Sequence, residues 1–428
     1  MNQGYLLEQP NILLRILILL FPITLITVKI VGNLILLILA IIGIYLFLIG
    51  KGNPFREKEL RFLSYSTTGY FFVVMLSMFL ADGFDINISH LGRKLHFLFA
   101  PFIALTLNKV FINHKDLICS MKYGLLLVGM ITLVQLFLGF DRPSGMFNAN
   151  IFGDIVVTMI FLSASSYFTE TKREKKFTVV AASFGLLALI LSSSRGSWVT
   201  FIFLSGIFVL LNKSYIFFTL KRGIINFLRV LALLIVILNI PFYSFYSDIT
   251  NGEKGRSTIS TKILAAYDAI NNWKNDNSYF SSSSLRLEMW RSSIPAYFEA
   301  PFFGHGYRNA NGVVSKYAKN FNNNISEYTH LHNEYITNLV SIGFVGFLVF
   351  LNMLFTPMRI FIYSKKLKMN QTMIDMGILL CCSYATVGFT HIIFGEEHVN
   401  AFFIFFISFL LPKVFKAKMP TKNPQGLV

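Results

Sequence analysis

Long apolar runs and short polar turns alternate along most of this chain. Runs of roughly 17 to 25 residues, the length that crosses a bilayer as a helix, start near Asn11, Val31, Phe62, His96, Ile118, Asn150, Lys176, Ser197, Ile224, Ile336, Met373 and Val399. They predict about twelve membrane helices. Lysine and arginine follow a slower alternation. Lys51, Arg56, Lys58 and Arg61 follow span two, Lys115 and Lys122 span four, and Lys172, Arg173, Lys175 and Lys176 span six. Lys213, Lys221 and Arg222 follow span eight, Arg359, Lys365, Lys366 and Lys368 span ten, and Lys413, Lys416, Lys418 and Lys422 lie in the tail. Short basic loops stay in the cytoplasm, so both termini are expected there and the other turns face outward. The chain divides into spans one to nine with short loops (1–241), one large outer loop (242–331), spans ten to twelve (332–416) and a cytoplasmic tail (417–428). The first run lacks a small-residue cleavage site and is read as a retained span.

Composition supports this fold class, an all-α polytopic membrane protein. Of 428 residues, 54% are apolar and 14% charged, against about a quarter charged in soluble domains, and the mean hydropathy is +0.59. The net charge of +17 sits mostly in the basic turns, which suit anionic lipid headgroups, so nucleic acid is not needed to explain it. Three cysteines, Cys119, Cys381 and Cys382, offer neither a disulfide framework nor a zinc spacing. No glycine-rich phosphate loop appears. Cofactors, metals and ATP are not expected.

The candidate chemistry lies outward. His332, in Thr329-His-Leu-His-Asn333, stands where the large loop ends and span ten begins. At about 100° per residue, Gly343 lies about 20° and Gly346 about −40° from it on a helix. One face is expected to carry all three, with the glycines admitting a neighbouring helix closely. Within the loop, Ser284 is a reasonable N-cap for a helix carrying Arg286, with Leu287, Trp290 and Ile294 at helical spacing, ended by Pro301, Gly304 and Gly306. Arg195 falls in the short turn Ser192-Ser-Ser-Arg-Gly-Ser-Trp198, Arg142 in Asp141-Arg-Pro-Ser-Gly145, and Lys94 in Gly92-Arg-Lys-Leu-His96. Several cations on a face otherwise poor in them point to an anionic ligand, since arginine grips phosphate bidentately and lysine adds a point charge. In a membrane that anion is a lipid headgroup or a polyprenyl phosphate. Glu396, Glu397 and His398 read as a solvated turn, and charges are expected at the ends of spans rather than within them.

Together these motifs resemble the bacterial O-antigen ligases: Ser-Arg195-Gly, Arg286 with Trp290, Pro301-Phe-Phe-Gly-His-Gly306, and His332-Asn333 with nine residues before Gly343-x-x-Gly346. About twelve spans with a single large periplasmic loop between the ninth and tenth match the same pattern. The resemblance implies an enzyme of the bacterial inner membrane with its active site on the periplasmic side. Its donor would be a glycan on undecaprenyl pyrophosphate, and its acceptor a sugar hydroxyl of the lipid A-core oligosaccharide in lipopolysaccharide biosynthesis. His332 is expected as general base and Arg195 and Arg286 as the pyrophosphate clamp. Lys94, Arg142, His330 and Asn333 would support substrate binding, and metal-independent displacement would invert the anomeric carbon. O-antigen polymerases and protein O-oligosaccharyltransferases share the pattern. A lipid-linked glycan flippase is the alternative of another class, and it needs ionisable groups near the bilayer midplane.

Overall fold

A computed structural model describes residues 12–82, 88–215, 282–319, 325–366 and 370–418. These residues contain helices and turns and no strand. The first eight long helices are α1 (Ile12–Thr27), α2 (Val31–Leu48), α3 (Arg61–Asp82), α4 (Ile88–Lys109), α5 (His114–Phe137), α6 (Ala149–Ala164), α7 (Lys172–Ser192) and α8 (Arg195–Leu211). Then follow α9 (Ser282–Glu299), α10 (Gly306–Lys316), α11 (Glu334–Lys365), α12 (Gln371–Val387) and α13 (Glu397–Lys418). Seven of them, α2, α3, α5, α6, α7, α11 and α13, are long and apolar enough to cross a membrane, and α1, α8 and α12 are shorter apolar helices. Each expected span other than the ninth coincides with a helix. The ninth, from Ile224, and the first part of the outer loop lie outside the described residues.

Connections between helices gather at two ends. At one end Lys109 pairs with Glu57 (3.1 Å), Lys122 with Glu170 (2.6 Å) and Lys365 with Asp375 (2.5 Å). Lys365 Nζ also donates to the carbonyl of Leu211 (3.1 Å), and Lys413 Nζ to that of Ile112 (3.1 Å). This basic end takes the α2–α3, α4–α5, α6–α7 and α11–α12 connections, as the lysine pattern predicts. At the opposite end His398 Nε2 donates to the carbonyl of Lys29 (2.6 Å), closing the α1–α2 turn onto the start of α13. His398 is therefore buried, not the solvated turn residue its neighbours Glu396 and Glu397 implied.

α13 is the central pillar. Every residue from His398 to Pro412 is buried, including Phe402, Phe403, Phe405, Phe406 and Phe409. A helix apolar all round belongs in the middle of a bundle, and α13 packs against α4, α12 and α2. Over the opposite end lies a small second layer. Leu285, Met289 and Ala296 of α9 meet Ala310, Val313 and Val314 of α10, together with Leu331 and Val340. The buried stripe of α9 is thus Leu285, Met289 and Ala296. Ile294, expected on that stripe, is exposed, because α10 approaches from the other side.

The expected common face of His332, Gly343 and Gly346 is not formed. α11 starts at Glu334 behind the N-cap Asn333, and His332 precedes it in a left-handed conformation (φ 51°). Gly343 breaks the helix (φ 64°, ψ −171°), so the rotation per residue does not carry across it. The freed N–H groups of Phe344 and Val345 donate to the carbonyls of Pro301 (2.7 Å) and Phe302 (3.2 Å), and His305 N–H donates to the carbonyl of Val340 (3.0 Å). Ser77 Oγ on α3 stands 2.7 Å from the carbonyl oxygen of Phe303 and 2.8 Å from that of Ser341. Backbone polar groups in such a place need partners, and the Pro301–Gly304 turn supplies them. A Cβ on Gly343 would sit 2.4 Å from the Phe302 carbonyl. The glycine therefore admits the outer loop rather than a neighbouring helix.

Candidate active site

His332 lies at the end opposite the lysine pairs, beside the segment that follows α12. Asn333 fixes it there: its side chain caps Ile336 N (3.1 Å), and its Nδ2 donates to the carbonyl of Phe389 (3.2 Å). Glu334 continues the same weld. Its N–H donates to the carbonyl of Gly388 (2.8 Å), and its buried carboxylate accepts from the N–H groups of Ile393 (2.9 Å) and Phe394 (3.3 Å). The ring of His332 is 4.5 Å from that of His330 and 5.4 Å from that of Tyr328, centroid to centroid. Burial, followed by the charges of Arg286 and His391, pushes His332 down to about 4. Burial and then His332, His391, Arg286 and Arg93 push His330 to about 2. Both imidazoles are neutral bases at neutral pH, and His332 Nδ1 and His330 Nε2 are buried without a hydrogen-bond partner.

Arg286 is the guanidinium whose charge reaches both histidines, and Arg195 in turn acts on Arg286 and on Arg142. Arg195 opens α8 behind Ser194, after a left-handed Ser193 (φ 55°) that turns α7 sharply into α8. Arg286 Nη1 donates to the carbonyl of Thr390 (3.3 Å). Thr390 Oγ1 would also meet a Cβ on Gly196 at 2.5 Å, so α8 and the 388–394 turn approach as closely as the Ser-Arg-Gly sequence allows. Arg142 Nε donates to the carbonyl of Ser192 (3.2 Å), and its Nη2 to Asn150 Oδ1 (3.4 Å). Burial first, and the charge of Arg195 second, lower both Arg142 and Arg286 from the usual guanidinium value. Partly buried, mutually repelling guanidinium groups form a site that an anion relieves.

Lys94 is placed differently. Its buried ammonium donates to Tyr70 OH (3.2 Å) and Tyr307 OH (3.3 Å), and both phenols donate to Asn338 Oδ1 (3.1 and 2.8 Å). Asn338 Nδ2 in turn donates to Glu334 Oε1 (2.7 Å). This chain ties α10 to α3, α4 and α11 beneath the site. The cation of this segment whose charge reaches His330 is Arg93.

Sequence reasoning overlooked Asp154 and His391. Asp154, inside α6, accepts from Ser197 Oγ (2.7 Å) and lies 3.2 Å from His391 Nδ1, with side-chain exposures of 4% and 9% for the acid and the histidine. The signal was present, because an aspartate within an apolar span is costly and rarely idle. The histidine could not be paired with it from spacing alone.

A helix bundle with seven membrane-length helices among the described residues defines a polytopic membrane protein, and one end of it carries neutral histidines beside Arg286. Residues 180–351 match the family model described as O-antigen ligase, a stretch that includes Arg195, Arg286, His330, His332, Asn333 and the Gly343 break. The chain is also 26% identical over 337 residues, covering 76% of its own length and 79% of the relative's, to an "Uncharacterized protein" of Haemophilus influenzae. The family match supports membership in the O-antigen ligase/polymerase superfamily, and with it an O-antigen ligase/polymerase-type enzyme acting on lipid-linked glycans in a membrane.

Proposed function

We propose that the protein is an O-antigen ligase: it transfers a glycan from undecaprenyl pyrophosphate to a sugar hydroxyl of lipid A-core oligosaccharide, on the periplasmic side of the inner membrane. The observation that carries this reading is the neutral His332 beside Arg286, which itself faces Arg195. A sugar hydroxyl attacks only as its proton leaves, and a positioned neutral histidine contributes about 10² to 10⁴ in rate. The C–O bond to the diphosphate breaks as the new glycosidic bond forms, and negative charge grows on the leaving oxygens. In this reading Arg195 and Arg286 hold that charge, with Arg142 contributing through Arg195, and displacement from the opposite face inverts the anomeric carbon. Asn333 keeps His332 in register, whereas Lys94 serves the site by anchoring α10.

The test is transfer by purified protein given a polyprenyl pyrophosphate glycan and core lipid without ATP. Product is expected with the wild type, and loss of about 10² to 10⁴ in turnover with His332→Ala. Normal turnover in that variant would remove His332 from the mechanism. Product made only when a second lipid-linked glycan replaces the core lipid would reassign the protein as a polymerase.

A further inference from the structure

The mechanism leaves His332 holding a proton among arginines, an unfavourable place for a second positive charge. Asp154 and His391 are not used in that mechanism, yet they join His332 and His330 in one chain of titratable groups, with the carboxylate of Asp154 close enough to act on Arg286. The His332 and His330 rings are 4.5 Å apart and the His330 and His391 rings 5.9 Å apart, the latter at 90°. His391 Nδ1 then stands 3.2 Å from Asp154 Oδ2. His332 Nδ1, His330 Nε2, His391 Nδ1 and Asp154 Oδ2 are all buried, and none has an aligned hydrogen-bond partner. Buried polar atoms are almost always satisfied, so four unsatisfied ones along a single line mark a path that is completed only when a proton or water occupies it.

Resting on the transferase reading, we propose that Asp154 and His391, through His330, carry away the proton that His332 removes from the acceptor hydroxyl. The acceptor O–H bond breaks to a ring nitrogen of His332 while its oxygen bonds the anomeric carbon and the diphosphate departs with the C–O electron pair. The His332 proton then passes by way of His330, a weaker base that serves only as a transit point, to His391, where Asp154 stabilises the imidazolium as an ion pair. The first step, between T-shaped rings 4.5 Å apart, takes a ring turn or a bridging water. The 5.9 Å step takes one bridging water or a ring turn. Ser197, donating to Asp154 Oδ1, keeps the other oxygen aimed at His391. His332 is returned to its neutral form, and the stored proton leaves with the products. Asp154 and His391 are positioning groups, acting through the other histidines. The charged and titratable groups whose fields reach this line are Arg93, Arg195, Arg286, Tyr328 and Tyr384.

The experiment is the transfer assay on the full-length protein with Asp154→Asn and His391→Ala, each checked for an unchanged melting temperature. Turnover is expected to fall about 10²-fold with the donor KM within about twofold of wild type. Added imidazole is expected to recover about tenfold in His391→Ala by replacing the missing acceptor, and the solvent deuterium isotope effect on kcat should change in both variants. A purely structural role would give neither rescue nor a changed isotope effect, and that result overturns the relay. Wild-type turnover in both variants overturns it too. If Asp154→Asn does not fold, imidazole rescue of His391→Ala decides alone. Failure of the wild type to transfer any glycan would sink the transferase reading itself. Wild-type transfer lost in His332→Ala but intact in both relay variants would sink only the relay.

Discussion

At the residue scale, His332 owes its character to its surroundings rather than to its helix. Burial and Arg286 set it at about 4, below the ordinary histidine value of about 6.5. In the free protein the base form thus persists until pH falls to about 4, and the acid limb of kcat/KM, which reports the free enzyme, is expected there. A bound diphosphate offsets Arg286, so the limb of kcat, which reports the loaded enzyme, should lie at higher pH; coincident limbs would contradict the clamp. The same shift affects stability. As pH falls below about 6.5 the unfolded chain binds protons that His332 and His330 refuse in the folded state. Melting temperature should therefore decline between about pH 6.5 and 4, and less so in a His330→Gln/His332→Gln double variant. Arg195→Lys and Arg286→Lys should each weaken donor binding despite conserving charge, because lysine lacks the bidentate fork, as titration with a polyprenyl pyrophosphate would show.

At the element scale, the break in α11 decides how the outer layer is held. Gly343→Ala must place a Cβ 2.4 Å from the Phe302 carbonyl with φ at 64°, and left-handed backbone alone costs an ordinary residue about 1 to 2 kcal/mol. Gly346→Ala meets only the side chain of Ile342, which can move. Gly343→Ala should thus lower the melting temperature in detergent more than Gly346→Ala, and should expose α9 and α10 to limited proteolysis; equal effects would contradict the docking role. The sequence pattern marked both glycines as points of close approach, but only Gly343 meets another stretch of backbone. It could not distinguish a packed helix from a docked loop, since the partner, Pro301 to Gly304, enters from another part of the chain. The apolar helices were legible from apolar length, but their polar first turns were not: α4 begins at Ile88, ahead of the apolar run at His96, and α9 at Ser282, ahead of the expected cap Ser284. Nor was the buried face of α9, because it depends on where α10 lies.

At the scale of the whole molecule, the two ends differ in kind. Turns with Lys109, Lys122 and Lys365 close one end through carboxylate pairs, and the histidines and arginines occupy the other. If the lysine end is cytoplasmic, a cysteine at exposed Glu327 should react with an impermeant maleimide in intact cells, and one at exposed Lys51 only after permeabilisation, in a background lacking Cys119. The reverse pattern would invert the assigned orientation. Arg195 and Arg142 stand out as candidates because each sits in a short outward turn where a charge is conspicuous, and Arg286 and His332 because they lie in the large outer loop and at its end. Asp154 and His391 do not, since α6 and the turn between α12 and α13 come together only in three dimensions, and Lys94, expected among the anion-binding cations, is enclosed by Tyr70 and Tyr307.

The interruption at Gly343 also sets a height. The stretch from Phe344 to Lys365 is about 33 Å long at ~1.5 Å per residue, enough by itself for a hydrocarbon core of about 30 Å. Strongly exposed apolar side chains on α11 begin with Phe344, whereas none from Glu334 to Ile342 is exposed. Those residues form a stretch about 14 Å tall, packed by α9 and α10, that separates His332 from the exposed apolar part of α11. A substrate tethered by a long isoprenoid tail can leave that tail in the lipid while its charged head stands at the level of the base, and a sugar acceptor need never be dehydrated by entering the bilayer.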